Sequence, residues 1–92
     1  MKLRYRTVAL ADLAEIRDYI AQDDPEAARK VIRRIDTAVD RLRRMPWSGR
    51  PGEVPGTRIL VVPGLPYVVI YRVGEDAVDI VAVLHTARNR RT

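Results

Sequence analysis

The sequence predicts an α+β domain in the order β-α-α-β-β-β, with a helical hairpin packed on one face of a small, curved antiparallel sheet. Three observations predict it. Apolar residues recur at helical spacing in two stretches, 8–22 and 25–45, with only a short acidic break between them. A stretch dense in Pro and Gly, 46–56, then ends the helical pattern. Three β-type runs follow, joined by turns so short that consecutive strands must lie antiparallel.

The elements follow in chain order. Lys2-Leu3-Arg4-Tyr5-Arg6 alternates with period two and reads as a short strand with Leu3 and Tyr5 inward. Thr7 is placed to cap the first helix, whose inner face carries Leu13, Ile16 and Ile20, with Asp12 and Glu15 in its early turns. Asp23-Asp24-Pro25-Glu26 is a restart signal: Asp24 caps, and Pro25 sits where its missing N–H leaves no bond unmade. The second helix is expected from Pro25 to about Met45, with the stripe Ala28, Val31, Ile32, Ile35, Ala38, Val39, Leu42 and Met45. An i,i+3 pair of Arg33 with Asp36 is expected on its outer face. Residues 46–56 are expected to form a loop, and strands are expected over 57–62, 67–73 and 77–85. Val68-Val69-Ile70 is apolar on both faces, as a central strand would be. The helices can cover only one side of such a sheet. Large apolar residues on the other side would mark a place for a partner.

Composition narrows the function classes. A chain of 92 residues with 47% hydrophobic and 32% charged residues is globular and is expected to be a single domain over 1–92. No apolar run approaches a membrane span, and the opening residues lack the apolar stretch of a secretory leader, so a cytoplasmic location is expected. There is no cysteine and only one histidine, which excludes thiol catalysis, disulfides and a two-His metal site; no metal or cofactor is expected. The 17 basic residues outnumber the 12 acidic ones, and all but two are Arg. The excess lies in residues 29–50 and in the tail after His85, a distribution that attracts an anionic or acidic partner.

A few residues stand out. His85 ends the last strand, where a backbone hydrogen bond or a proton-transfer role are the two readings. Tyr67 and Tyr71 share a face of their strand and are expected to pack with their hydroxyls at the rim. Arg58 on a sheet face is expected to need an anion or a carboxylate. Arg50, set between Gly49 and Pro51-Gly52, is a cation held in a stiff loop. Glu53, Glu75, Asp76 and Asp79 are expected to be solvated.

Six segments in this order and spacing resemble the RelE/ParE toxin superfamily, and most closely its ParE branch. They are Ala11-Asp12-Leu13-Ala14-Glu15-Ile16-Arg17-Asp18-Tyr19-Ile20; Asp24-Pro25 with Ala27-Ala28; Pro46 with Ser48-Gly49-Arg50-Pro51-Gly52; Gly56-Thr57-Arg58; Leu65-Pro66-Tyr67-Val68-Val69-Ile70-Tyr71; and Val83-Leu84-His85 with Ala87-Arg88. The resemblance covers nearly the whole chain and implies the same β-α-α-β-β-β fold. It implies the toxin of a type II toxin–antitoxin pair, of the plasmid-stabilization kind. It also implies a hetero-oligomer with a ParD-like ribbon-helix-helix antitoxin, through which DNA would be contacted.

Two activities occur in this superfamily. ParE-like members inhibit DNA gyrase, whereas RelE-like members cleave messenger RNA on the ribosome. RelE-type enzymes place a basic residue on the central strand shortly before a Tyr; the matching position here holds Val68, and the preceding loop lacks the usual Lys residues. The non-enzymatic, gyrase-directed reading is therefore favoured, and no catalytic residue is assigned. On this reading Arg58, His85, Arg88, Arg90 and Arg91 meet the target. Leu13, Ile16, Ile20, Ile35, Leu42, Arg50, Tyr67 and Tyr71 meet the antitoxin. In the alternative, a RelE-like ribosome-dependent endoribonuclease, His85 or Tyr71 supplies acid/base chemistry while Arg50, Arg58 and Arg88 hold phosphate.

Overall fold

A computed structural model of the chain describes residues 1–87. The elements are β1 (Lys2–Tyr5), α1 (Thr7–Ala21), α2 (Pro25–Asp40), a 3₁₀ turn (Arg41–Arg43), β2 (Arg50–Pro51), β3 (Arg58–Val61), β4 (Tyr67–Val73) and β5 (Ala77–His85). The five strands form one sheet in the order β1-β5-β4-β3-β2. β4 is its central strand, as the doubly apolar Val68-Val69-Ile70 requires.

The sheet is mixed, which corrects the expectation of an all-antiparallel one. β1 runs parallel to β5, with Leu3 opposite Val78 and Tyr5 opposite Ile80, while the other pairs are antiparallel. Short turns fix the direction of consecutive strands, but nothing local fixes that of strands 75 residues apart, such as Arg4 and Asp79. The loop also holds a strand that its Pro and Gly content concealed. Arg50 opposes Ile59 and Pro51 opposes Arg58. A Pro is tolerated there because β2 is an edge strand.

The helix ends also differ from expectation. Arg6, not Thr7, occupies the N-cap of α1, and no side chain caps it. Asp24 caps α2 as expected, accepting from the backbone N–H groups of Glu26 and Ala27 at 3.1 Å each. α2 stops at Asp40 and tightens into the 3₁₀ turn rather than running on to Met45. Asp36 accepts from the Tyr5 hydroxyl at 3.1 Å instead of pairing with Arg33. The ion pairs on this helix and the turn after it are Arg29–Glu26 and Arg43–Asp40.

Both helices lie on one face of the sheet. There Ile16, Ile35, Ala38, Val39 and Leu42 meet Val62, Tyr67, Val69, Tyr71, Val78, Ile80 and Val83 in a single core. Opposed residues share a face, so the register places Ile59, Val61, Val68, Ile70, Ala82 and Leu84 on the other face. None of these six belongs to the core, and among the described residues no helix covers them. Among the described residues no helix is long and apolar enough to cross a membrane.

Candidate functional site

Three structural features meet around β3, and each is set by a few residues. The first is the loop 46–49. The Tyr71 hydroxyl donates to the Pro46 carbonyl at 2.8 Å and accepts from the Gly49 N–H at 2.9 Å. Position 49 must be Gly, because a Cβ there would come within 2.6 Å of both the Ile59 carbonyl and the Tyr71 hydroxyl. Arg58, opposite Tyr71 on β3, donates from Nη2 to the carbonyls of Trp47 and Gly49. Its guanidinium carbon lies 5.2 Å from the centre of the Trp47 ring, a cation–π contact. Trp47 itself is 64% exposed.

These contacts correct two expectations. Tyr71 is fully buried, with its hydroxyl inside and doubly bonded rather than at the rim. Arg58 is held by backbone carbonyls and an indole ring rather than by an anion or a carboxylate. Its buried Nε has no acceptor among the described residues.

The second feature is the uncovered sheet face. Ile59, Val68, Ile70, Ala82 and Leu84 are half-buried there by their own neighbours, while Val61 is 50% exposed. Arg72 and Asp79 are opposed on this face, and Asp79 pairs with Arg4 at 3.0 Å and with Arg6 at 3.7 Å. Asp79 is therefore engaged rather than simply solvated. The third feature is a groove of about 190 Å³ between α2 and the start of the β3–β4 turn, lined by Arg34, Thr37, Ala38, Arg41, Val62 and Pro63.

The residues singled out from the sequence fall into separate groups. Ile16, Ile35, Leu42, Tyr67 and Tyr71 are buried in the chain's own core, and Leu13 and Ile20 pack against it. Much of their apolar surface is used within the chain's own fold; Leu13 and Ile20 are half-buried, and only Arg50 of that set is exposed. His85 opposes Tyr67 and packs edge-on against its ring with centroids 5.3 Å apart. Its Nδ1 accepts from the Ala87 N–H at 3.1 Å, so a neutral ring carries its proton on Nε2. Arg88, Arg90 and Arg91 lie outside the described residues. The sequence reading missed Trp47, Val61 and the Arg34–Arg41 groove. A lone Trp inside a Pro- and Gly-rich loop was the available signal for the first.

Among the described residues, His85 stands apart from Tyr71 and Arg58 along β4. Tyr71 opposes Ile80 and Arg58, whereas His85 opposes Tyr67, four positions away along β4. That is about 13 Å of strand. Burial, followed by the negative charge and hydrogen bond of Asp36, pushes the Tyr5 hydroxyl well above the ordinary tyrosine range. Tyr5 binds β1 to α2 and lies apart from this region. No group of three or more His, Asp or Glu side chains among the described residues could hold a metal ion.

Comparison with known proteins finds toxins of type II toxin–antitoxin systems. The family described as "ParE toxin of type II toxin-antitoxin system, parDE" matches residues 3–90. A Sinorhizobium fredii protein named "Putative toxin Y4kP" is 48% identical over 84 residues, covering 91% of this chain and 86% of its own. "Toxin RelE2" of Caulobacter vibrioides is 45% identical over 80 residues, covering 87% of this chain and 89% of its own. Among solved structures, a chain of a chromosomal ParDE toxin–antitoxin system from P. aeruginosa superimposes with a TM-score of 0.83 at 33% identity. That match covers 92% of this chain and 95% of the other.

Proposed function

The chain belongs to the ParE toxin family and is a type II toxin of the ParE/RelE kind; from that premise we propose that it acts by binding, as an inhibitor of DNA gyrase held inactive by a ParD-like ribbon-helix-helix antitoxin. The observation that carries this reading is the separation of His85 from Arg58 and Tyr71 along β4. Metal-free RNA cleavage needs a base, an acid and a cation around one phosphate. Here the Tyr71 hydroxyl is committed to Pro46 and Gly49, and Arg58 is committed to two carbonyls. Val68 stands on the central strand at the position matching the basic residue of RelE-type enzymes, which supports the binding reading over the ribonuclease one.

The target surface in this proposal comprises Arg58 with the Trp47 ring it steadies, His85, and the cations Arg88, Arg90 and Arg91. The antitoxin takes the apolar sheet face and the exposed Arg50 beside it. A cationic surface steers encounter and sets register more than it sets affinity. The test is direct. Purified toxin at micromolar concentration should block gyrase supercoiling and accumulate cleaved DNA, and equimolar antitoxin should reverse both. Loss of a reporter message only while ribosomes translate it, with gyrase unaffected, would assign the RelE-like activity instead.

A further inference from the structure

Every residue of the loop 46–49 is tied down. The Tyr71 hydroxyl donates to the Pro46 carbonyl and accepts from the Gly49 N–H. Arg58 donates to the carbonyls of Trp47 and Gly49, and the Ser48 N–H donates to the Met45 carbonyl at 3.1 Å. Yet the side chain this frame carries, Trp47, is 64% exposed. The Arg58 guanidinium backs one face of the indole, so the exposure belongs to the other face and the ring edge. An aromatic plane held open in this way can stack on a partner at little cost in ordering.

The charge around the ring is of one sign. Between Asp40 and Glu53 the chain carries Arg41, Arg43, Arg44 and Arg50 and no acid. Asp40 pairs with Arg43. Arg44 and Arg50 are exposed and take part in none of the ion pairs among the described residues. Both stand three residues from Trp47, so their Cα atoms lie within about 11 Å of its own. The helix before the loop is different. There the cations are interleaved with Glu26, Asp36 and Asp40, as on a solvated face.

A flat ring with a free face, flanked by two unneutralised guanidinium groups, matches a base with phosphates on either side. A base can lie on such a ring only when it is unpaired. A folded protein would find little to grip: between Arg41 and Gly52 the one other large apolar side chain exposed is Met45.

We propose that Trp47, with Arg44, Arg50 and Arg58, is a binding site for an unpaired stretch of DNA. One base stacks on the open indole face while Arg58 holds the ring from behind. Arg44 and Arg50 meet the phosphates on either side of that base. Stacking tolerates any base, so the site is indifferent to sequence. This deepens the target surface proposed above and rests on that reading for one point, that the strand is the DNA on which gyrase acts.

The test uses the full chain and a single-stranded oligothymidylate of about 12 nucleotides, within the length such sites cover. Trp47 is the only tryptophan, so its emission reports the site directly. Titration should quench it saturably. Affinity should fall with salt at a log–log slope of about −0.7 for each phosphate met. The duplex with oligodeoxyadenylate, which offers no free base face, should bind about tenfold more weakly. Trp47→Leu, followed by anisotropy of a labelled oligonucleotide, should lose about tenfold or more, the usual effect of removing a stacking partner. The exposed pair Arg44→Gln/Arg50→Gln gives an independent reading. Its salt slope should flatten, while saturating oligonucleotide still quenches Trp47.

No binding, equal binding of single strand and duplex, binding without quenching, or unchanged affinity in Trp47→Leu would overturn the proposal. So would an oligouridylate of the same length that binds tenfold more tightly, since the strand would then be RNA. So would DNA-free gyrase that binds the parent chain but not Trp47→Leu, since the ring would then meet protein. The gyrase reading fails separately: if supercoiling proceeds at micromolar toxin, that reading falls whatever the oligonucleotide does.

Discussion

Tyr71 ties the central strand to the loop that displays Trp47, and it does so through a single hydroxyl that donates to Pro46 and accepts from Gly49. Tyr71→Phe leaves both backbone groups without that partner. It should lower stability by about 1–3 kcal/mol, read by urea unfolding, because a buried group stripped of its bond costs its full desolvation. The same variant should red-shift and broaden Trp47 emission as the loop loosens. Gly49→Ala should be at least as damaging, since its methyl meets backbone as well as the hydroxyl. Tyr5 gives a pH prediction of known sign. Its folded pKa is raised, first by burial and then by Asp36, so the native state keeps a proton that the unfolded chain releases near pH 10. Stability from this group is therefore constant below about pH 10 and falls above it. Denaturation midpoints of the parent and Tyr5→Phe should change in parallel from pH 7 to 9, and the parent should fall faster beyond pH 10. The roles of Tyr71 and Arg58 were not legible in the sequence, because their partners are main-chain atoms of a loop. Any sequence able to place a carbonyl there would serve, so no side chain advertises the contact.

Most elements could be read from the sequence because their signals are local. Asp24-Pro25 states the start of α2 outright, and the structure uses it that way. Asp24→Ala should cost about 1 kcal/mol in a thermal or urea melt, the usual value for a lost N-cap. Thr7→Ala should cost little, since Thr7 lies inside α1 and its hydroxyl caps nothing. Asp12 is the instructive case. By position it reads as a dipole-compensating carboxylate, but it reaches across to β5 and closes a bond the sheet cannot. What the sequence could not supply was long-range pairing. The parallel β1–β5 contact and the two-residue β2 depend on where distant segments arrive rather than on any periodicity of their own. Helical spacing marks Ile35 and Leu42 as apolar, but only the fold decides that their apolar surface faces inward.

At the scale of the whole molecule, a small chain has covered one side of its sheet and left six apolar side chains on the other. Only about 60–65% of the unfolded surface is buried in a chain of this size. A partner that seats on the open side is then a substantial source of stability. Antitoxin at 100 times its dissociation constant should add about 2.7 kcal/mol and raise the melting temperature in a concentration-dependent way. Ile70→Ser separates the two roles of that face. If Ile70 served only the fold, its loss would destabilise the free toxin while leaving antitoxin affinity unchanged. If it serves a partner, free-toxin stability should fall only modestly, because Ile70 lies outside the core and is half-exposed, while affinity for the antitoxin falls tenfold or more. Calorimetry on the free chain and on the complex distinguishes these outcomes. The second pattern would mean that the open face is retained for binding, at some cost to the stability of the unaccompanied chain.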